Sequence, residues 1–358
     1  MTDEVLVRSV GRALRITLNR PRAINALTLD MVRSIEVALD QAEEDRAIAT
    51  VILDGAGDRG LCAGGDIRAL YEAALAGDRG GLQFWREEYA LDARLARFPK
   101  PVVAVMDGIV MGGGIGISAH APHRIVTERS SVGMPEVGIG FSPDVGGTWL
   151  LARAPGELGT HVALTGASID GPDAIACGLA DRLVPSASVT DLIEALADSN
   201  LDSTIDRFAV TPERLTVSGL IEDRTWIDET YSANTVESII DRLAQQHHEA
   251  ARLALDRITG NSPTALKVAL RALREASQKP TLEACLEMEF RISRTFLLDT
   301  PDFTEGVRAA VVDKDRSPQW RPQRLGDVTP ERVEQFFVPG DDDLQLNYRQ
   351  SRHGVAST

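Results

Sequence analysis

The sequence predicts an α/β protein: a mostly parallel sheet built from repeated strand, glycine turn and helix units, followed by a largely helical region. Three observations predict this. A buried strand gives way to a glycine turn and a helix at Gly64-Gly65, and the same unit recurs at Gly112 to Gly114. That βα repetition puts the ligand site at the carboxyl ends of the strands. Beyond Asp144, apolar residues recur at helical spacing over most of the remaining chain.

Glu4 to Val10 and Ala13 to Asn19 alternate apolar and polar residues around Gly11, which predicts a β-hairpin. Thr28 reads as the N-cap of a helix to about Glu44, with Leu29, Val32, Ile35, Ala38 and Leu39 on one face. Thr50 to Leu53 is a buried strand, and Asp66 can cap the helix that follows the Gly64-Gly65 turn. A further helix, from about Leu82 to Arg97, carries Arg86-Glu87-Glu88-Tyr89. Val102 to Met106 is a strand ahead of the triple glycine, and His123 to Thr127 a shorter one ahead of Met134-Pro135-Glu136. Helices are predicted over Gly156–Thr165, Pro172–Cys177, Thr235–Leu243, Pro263–Ala276, Leu282–Leu298 and Phe303–Asp313, with a strand at Ala180–Val184. Ser186 to Arg224 is weakly patterned. Boundaries are expected near 185 and 335, separating a core at 1–185, a helical region at 186–335 and a flexible tail at 336–358.

A chain of 358 residues with 43% hydrophobic and 25% charged residues can bury a sizeable core. A net charge of −15 argues against nucleic acid or a membrane surface as partner. Cys62, Cys177 and Cys285 lie far apart without metal spacing and read as core residues of a reduced compartment. MTDEVLVRSV enters a strand pattern at once, without a basic or apolar leader, so a cytoplasmic location is expected. No metal is expected, because no His, Asp or Glu cluster has ligand spacing. His120, His123 and His161 lack a Gly-x-Ser-x-Gly elbow and read as structural.

The chemistry concentrates in Pro101 to Arg153. Backbone amides at Gly65 and Gly113, converging on one carbonyl oxygen, would stabilise an oxyanion. Taken singly, either turn is explained as well by tight packing. Glu136 and Asp144, eight positions apart, supply carboxyls for nucleophile, base or acid duty beside the turns. Asp144 also reads as a cap for the helix through Trp149 and Leu150.

GLCAGGDI, DGIVMGGGIGIS, MPEVGIGF and PDVGGTWLL resemble the crotonase (enoyl-CoA hydratase/isomerase) superfamily, and within it the 3-hydroxyisobutyryl-CoA hydrolase group. NRPRAINALTLDMV, FWREEYALD, NSPTALKVALRAL and DFTEGVRAAVVDKDRSPQW extend the likeness over roughly 5 to 325. The resemblance implies a crotonase-like fold of repeated ββα units with a helical C-terminal region. It implies an acyl-CoA thioester held by the Gly65 and Gly113 amides, with Ala63, Asp66 and Ile67 in the loop bordering CoA. Arg22 is a candidate for the CoA phosphates and also reads as a solvated arginine. CoA would be part of the substrate, and no separate cofactor is implied.

Hydratases of this fold carry a glutamate shortly after the triple glycine and a second in the Pro-Glu motif. Here the first position is Gly116, the second is Glu136, and Asp144 stands where hydratases have glycine. The hydrolase group shares this arrangement, and its likeness in FWREEY suggests that Glu88 contacts a substrate hydroxyl. The implied reaction is hydrolysis of a short 3-hydroxyacyl-CoA, in valine catabolism for 3-hydroxyisobutyryl-CoA. The alternatives are an enoyl-CoA hydratase or isomerase, and a CoA-binding protein without chemistry. Self-association through the C-terminal helices, as in the superfamily, is a further expectation.

Overall fold

The computed structural model describes residues 3–197, 200–210 and 218–346. Strands β1 (Val5–Val10) and β2 (Ala13–Leu18) form the expected antiparallel hairpin around Gly11, whose φ is +55°. Helix α1 (Leu29–Glu44) begins where Thr28 accepts a hydrogen bond from the Met31 amide. Strand β3 (Thr50–Gly55) leads through bridge-paired residues at Gly60 and Cys62 to α2 (Ile67–Leu75) and then α3 (Gly80–Ala96). Strands β4 (Val102–Met106) and β5 (Ile109–Met111) run into α4 (Gly113–Ala119). Strands β6 (His123–Val126) and β7 (Ser131–Gly133) run into a 3-10 turn at Glu136–Ile139. Two strands and a helical turn thus recur three times, as the resemblance implies.

The larger sheet has the order β1-β2-β3-β4-β6-β9, where β9 is Arg182–Leu183; every pairing after the hairpin is parallel. A smaller sheet, β5-β7-β8, includes β8 (Ser168–Ile169). Alternation along the strands divides the core in two. Val51, Leu53, Val102, Ala104 and Met106 face the main core, whereas Ile52, Val103, Val105 and Ile125 face a second cluster.

Helices α5 (Gly147–Leu151), α6 (Leu158–Thr165) and α7 (Gly171–Ala176) follow the 3-10 turn. Next come α8 (Val189–Leu196) and α9 (Leu201–Phe208), which cover the sheet's second face with Leu192, Ile193, Leu196 and Ile205. Each such buried side chain stabilises the fold by about 1.5–3 kcal/mol. The expected boundary near 185 therefore separates no packing unit, because α8 and α9 complete the core of the sheet. Part of the weakly patterned stretch, residues 198–199 and 211–217, lies outside the described residues.

The helical region continues with α10 (Gly219–Glu222), α11 (Arg224–Tyr231), α12 (Val236–Leu243), α13 (Glu249–Gly260), α14 (Pro263–Ala276) and α15 (Leu282–Asp299). It ends with α16 (Asp302–Val307) and α17 (Pro330–Glu334). The expected flexible tail is packed over its described part. Phe336 is buried against Phe296, with ring centroids 4.6 Å apart, and Leu344 is buried. Asp343 pairs with Arg291 at 2.6 Å and Arg294 at 3.0 Å. Residues 347–358 lie outside the described residues.

Candidate active site

The two glycine turns come together because β3 and β4 are parallel neighbours. The strand-like pairing of Leu27 with Gly65 uses the Gly64 carbonyl and the Asp66 amide, which leaves the Gly65 N–H outside that ladder. Gly64 has φ +106° and Gly112 φ +49°, conformations that glycine adopts without steric cost. A Cβ built on Gly113 would lie 3.3 Å from the Gly65 nitrogen, so the two turns touch. Gly113 opens α4, where the first amides have no intrahelical acceptor.

A cavity of about 120 Å³ adjoins these turns. Ala63, Gly65, Ile67, Glu88, Gly113, Glu136 and Asp144 all line it. Trp85, Phe141 and Phe303 form an aromatic wall; Trp85 stacks on Phe141 at 5.2 Å, and Phe141 lies 5.5 Å from Phe303. Two predicted residues are absent from the lining. Asp66 caps α2 and bonds Arg20 at 3.0 Å, which ties the loop down. Arg22 is exposed in the 3-10 turn Pro21–Ala23, away from the cavity. Glu87 points elsewhere too, bonded to Arg33 at 2.7 Å.

The carboxyls are buried, which disfavours their charged forms. Glu136 is 6% exposed, and its Oε2 meets no partner among the described residues. Burial first, and then the neighbouring Asp144 charge, raises its pKa well above the ordinary carboxyl range. Asp144 is also 6% exposed, and burial pushes it up to about 7 even though Tyr89 donates a 2.7 Å bond to its Oδ2. The Tyr89 hydroxyl is itself 2.8 Å from Ser293 Oγ.

The Asp144 loop is held in an uncommon shape. Val145 has φ +53°, a left-handed conformation that is costly for a β-branched residue. His120 Nε2 lies 2.8 Å from the Val145 carbonyl, which can only accept, so Nε2 carries the proton. Burial lowers this imidazole to about 4 and keeps it neutral. Glu289 of α15 accepts bonds from the Gly146 amide at 2.7 Å and the Thr148 amide at 3.0 Å. His120 thus has the structural place expected of it, and that place is beneath Asp144. His161 packs edge-on against Trp226 and Tyr231.

Three buried residues behind the cavity escape a reading of the sequence: Tyr89 and Glu289, which hold Asp144 and its loop, and Asp92, fully buried on α3. Each is buried on a long helix, and the usable signal was an acid flanked by apolar residues, as in Ala90-Leu91-Asp92-Ala93 and Met288-Glu289-Phe290.

An enoyl-CoA hydratase/isomerase family model matches residues 13–337. The rat protein named 3-hydroxyisobutyryl-CoA hydrolase, mitochondrial, is 42% identical over 354 residues, covering 96% of this chain and 91% of its own. A carnitinyl-CoA dehydratase structure from Mycobacterium thermoresistibile matches with a TM-score of 0.93 and 45% identity, covering 97% of this chain and 100% of its own. An enoyl-CoA hydratase structure from Rhodobacter sphaeroides gives 0.88 and 42%, with 96% and 100% covered. Paired glycine turns, the Pro-Glu carboxyl and near full-length similarity agree: the chain belongs to the enoyl-CoA hydratase/isomerase, or crotonase, family.

Proposed function

We propose that the protein hydrolyses the thioester of 3-hydroxyisobutyryl-CoA, or of a related short 3-hydroxyacyl-CoA, to the free hydroxy acid and CoA. One observation carries this: Glu136 and Asp144 both line the cavity beside the paired glycine turns, while position 116 carries no side chain. The name of the rat relative supports the substrate class. That name also includes "mitochondrial", which gives no support to the cytoplasmic expectation. No described helix is long and apolar enough to cross a membrane.

The Gly65 and Gly113 amides bind the thioester oxygen and stabilise the oxyanion, each worth about 3 kcal/mol of barrier. Glu136 and Asp144 cannot both ionise cheaply in a buried cavity, so one proton resides on the pair; burial and the Asp144 charge favour it on Glu136, and the form that reacts is the one in which it has moved to Asp144. Asp144, at about 7 and bonded by Tyr89, is matched to donate a proton near neutrality. Glu136 takes the proton from water as its oxygen attacks the carbonyl carbon; the C–S bond breaks and Asp144 protonates the departing sulfur. The covalent variant, in which the Glu136 carboxylate attacks to give a mixed anhydride that water then opens, uses the same groups. CoA enters as part of the substrate, and neither route calls for a resident cofactor.

Hydration is the second reading, because two similar structures are a dehydratase and a hydratase. Gly116 opposes it, since syn-addition of water by a glutamate pair needs a carboxyl there. Free-thiol release across a panel of 3-hydroxyacyl-CoAs, beside water addition to crotonyl-CoA, separates the two. Thiol release with little hydration is expected. Hydration without thiol release would overturn the hydrolase reading.

A further inference from the structure

Helices α3 and α15 are joined at two levels. At the buried level, Tyr89 of α3 bonds Asp144 at 2.7 Å and Ser293 of α15 at 2.8 Å, and its ring stands edge-on to Phe290 of α15 at 6.4 Å. One turn earlier on α3, nearer the surface, the Arg86 guanidinium lies 4.6 Å over that same Phe290 ring. Phe290 is fully buried and touches both residues, so a shift of Arg86 against α15 is felt at Tyr89.

The C-terminal segment closes the second level. Arg86 donates to the Asp342 carbonyl at 2.5 Å and to the Asp343 carbonyl at 3.4 Å. The Asp343 carboxylate accepts from Arg291 at 2.6 Å and Arg294 at 3.0 Å, both on α15, and from the Gly340 amide at 3.0 Å. Arg294 also reaches the Val338 carbonyl at 3.1 Å, and the neighbouring Leu344 is buried. Asp343 thus holds α3 through its backbone and α15 through its side chain. That side chain is 12% exposed, so salt screens its pairs less than it screens surface pairs. Asp343 does not line the cavity.

We propose that Asp343 is a positioning residue: by tying Arg86 to Arg291 and Arg294 it fixes α3 against α15 and so keeps the Tyr89 hydroxyl on Asp144. This rests on the hydrolase reading above, in which Asp144 protonates the departing sulfur. The contacts run without a gap from Asp343 through Arg86, Phe290 and Tyr89 to Asp144. A residue outside the cavity thereby governs how firmly the proton donor is held. A segment that only added stability would lower the unfolding midpoint when cut loose and leave the pH profile of the reaction in place.

The test follows kcat/KM for thiol release from 3-hydroxyisobutyryl-CoA against pH in the full chain. Asp343→Ala should move the alkaline limb upward, because a weakened bond from Tyr89 leaves the Asp144 carboxyl harder to ionise. The shift should be smaller than that of Tyr89→Phe, which deletes the bond outright. The plateau should fall about three- to tenfold, short of the ~10²-fold that a misplacement of about 1 Å can cost. In a Tyr89→Phe background, Asp343→Ala should leave the limb where Tyr89→Phe puts it, since residues acting through one chain of contacts are not additive. Asp343→Asn keeps an acceptor for Arg294 and should fall between the native protein and Asp343→Ala. If Asp343→Ala does not fold, Arg86→Met makes the same test from α3, keeping a stem over Phe290 and deleting the donors to residues 342 and 343. An unmoved limb in Asp343→Ala or Arg86→Met, or a shift that adds in full to that of Tyr89→Phe, would overturn the proposal whatever happens to the unfolding midpoint. Absence of thiol release from the native protein would instead sink the hydrolase reading itself.

Discussion

Replacing Tyr89 by Phe removes one oxygen from a site otherwise unchanged. That hydroxyl donates a 2.7 Å bond to Asp144 Oδ2 in a fully buried setting and steadies the ionised carboxylate. A hydrogen bond to a charged group is worth about 1.5–3 kcal/mol, and about 1.36 kcal/mol corresponds to one pKa unit. Its loss should therefore move Asp144 upward from about 7 by roughly one to two pH units. A donor with a higher pKa keeps its proton to a higher pH. The alkaline limb of kcat/KM for thiol release should shift upward by that amount, while the maximum rate falls because a weaker acid donates less readily. Ser293 also loses its 2.8 Å partner, so a stability cost of about 1 kcal/mol is expected in denaturant unfolding. An alkaline limb that stays in place, or moves down, would refute Asp144 as the proton donor.

Other outcomes are as specific. Gly116→Ala would drive a Cβ to 2.7 Å from Asp92 Oδ2 and 2.8 Å from Val145 Cβ, and should cost about 1–3 kcal/mol of stability; an unchanged urea midpoint would contradict the packing of α3 on α4. Burial raises Glu289 from 4.5 to about 8, so the folded protein holds this proton where the unfolded chain does not. Stability from that source is complete below about 4.5 and is lost as pH rises through about 8; Glu289→Gln should flatten the pH dependence of the unfolding midpoint across that window. Single-turnover reaction in heavy-oxygen water should place label in Glu136 if the anhydride forms, and label in the product alone would leave the general-base route.

The parts of the site legible in the sequence were those carried by local backbone chemistry. Thr28 and Asp66 announce helix starts, the triple glycine marks a strand-to-helix turn, and Pro135-Glu136 and Pro143-Asp144 stand apart from any periodic pattern. Asp92 and Glu289 were hidden because an acid within a helix usually marks the solvated face, and only tertiary packing shows that α3 and α15 turn theirs inward. Strands β5, β7 and β8 span two or three residues, too short to display a period. The clamped stretch after Phe336 depends on Arg86, Arg291 and Arg294, distant in sequence, which hold Asp342 and Asp343. Arg22 was placed near CoA by resemblance alone, and its turn leaves it in solvent.

The most direct measurement compares thiol release from 3-hydroxyisobutyryl-CoA by the native protein and by Glu136→Gln. The native protein should release CoA, and the amide, which can neither attack the carbonyl nor take a proton from water, should slow release by about 10²–10⁴-fold with its unfolding midpoint preserved. Equal rates in the two proteins would remove Glu136 from the chemistry, and with it the claim that this cavity cleaves thioesters through its paired carboxyls.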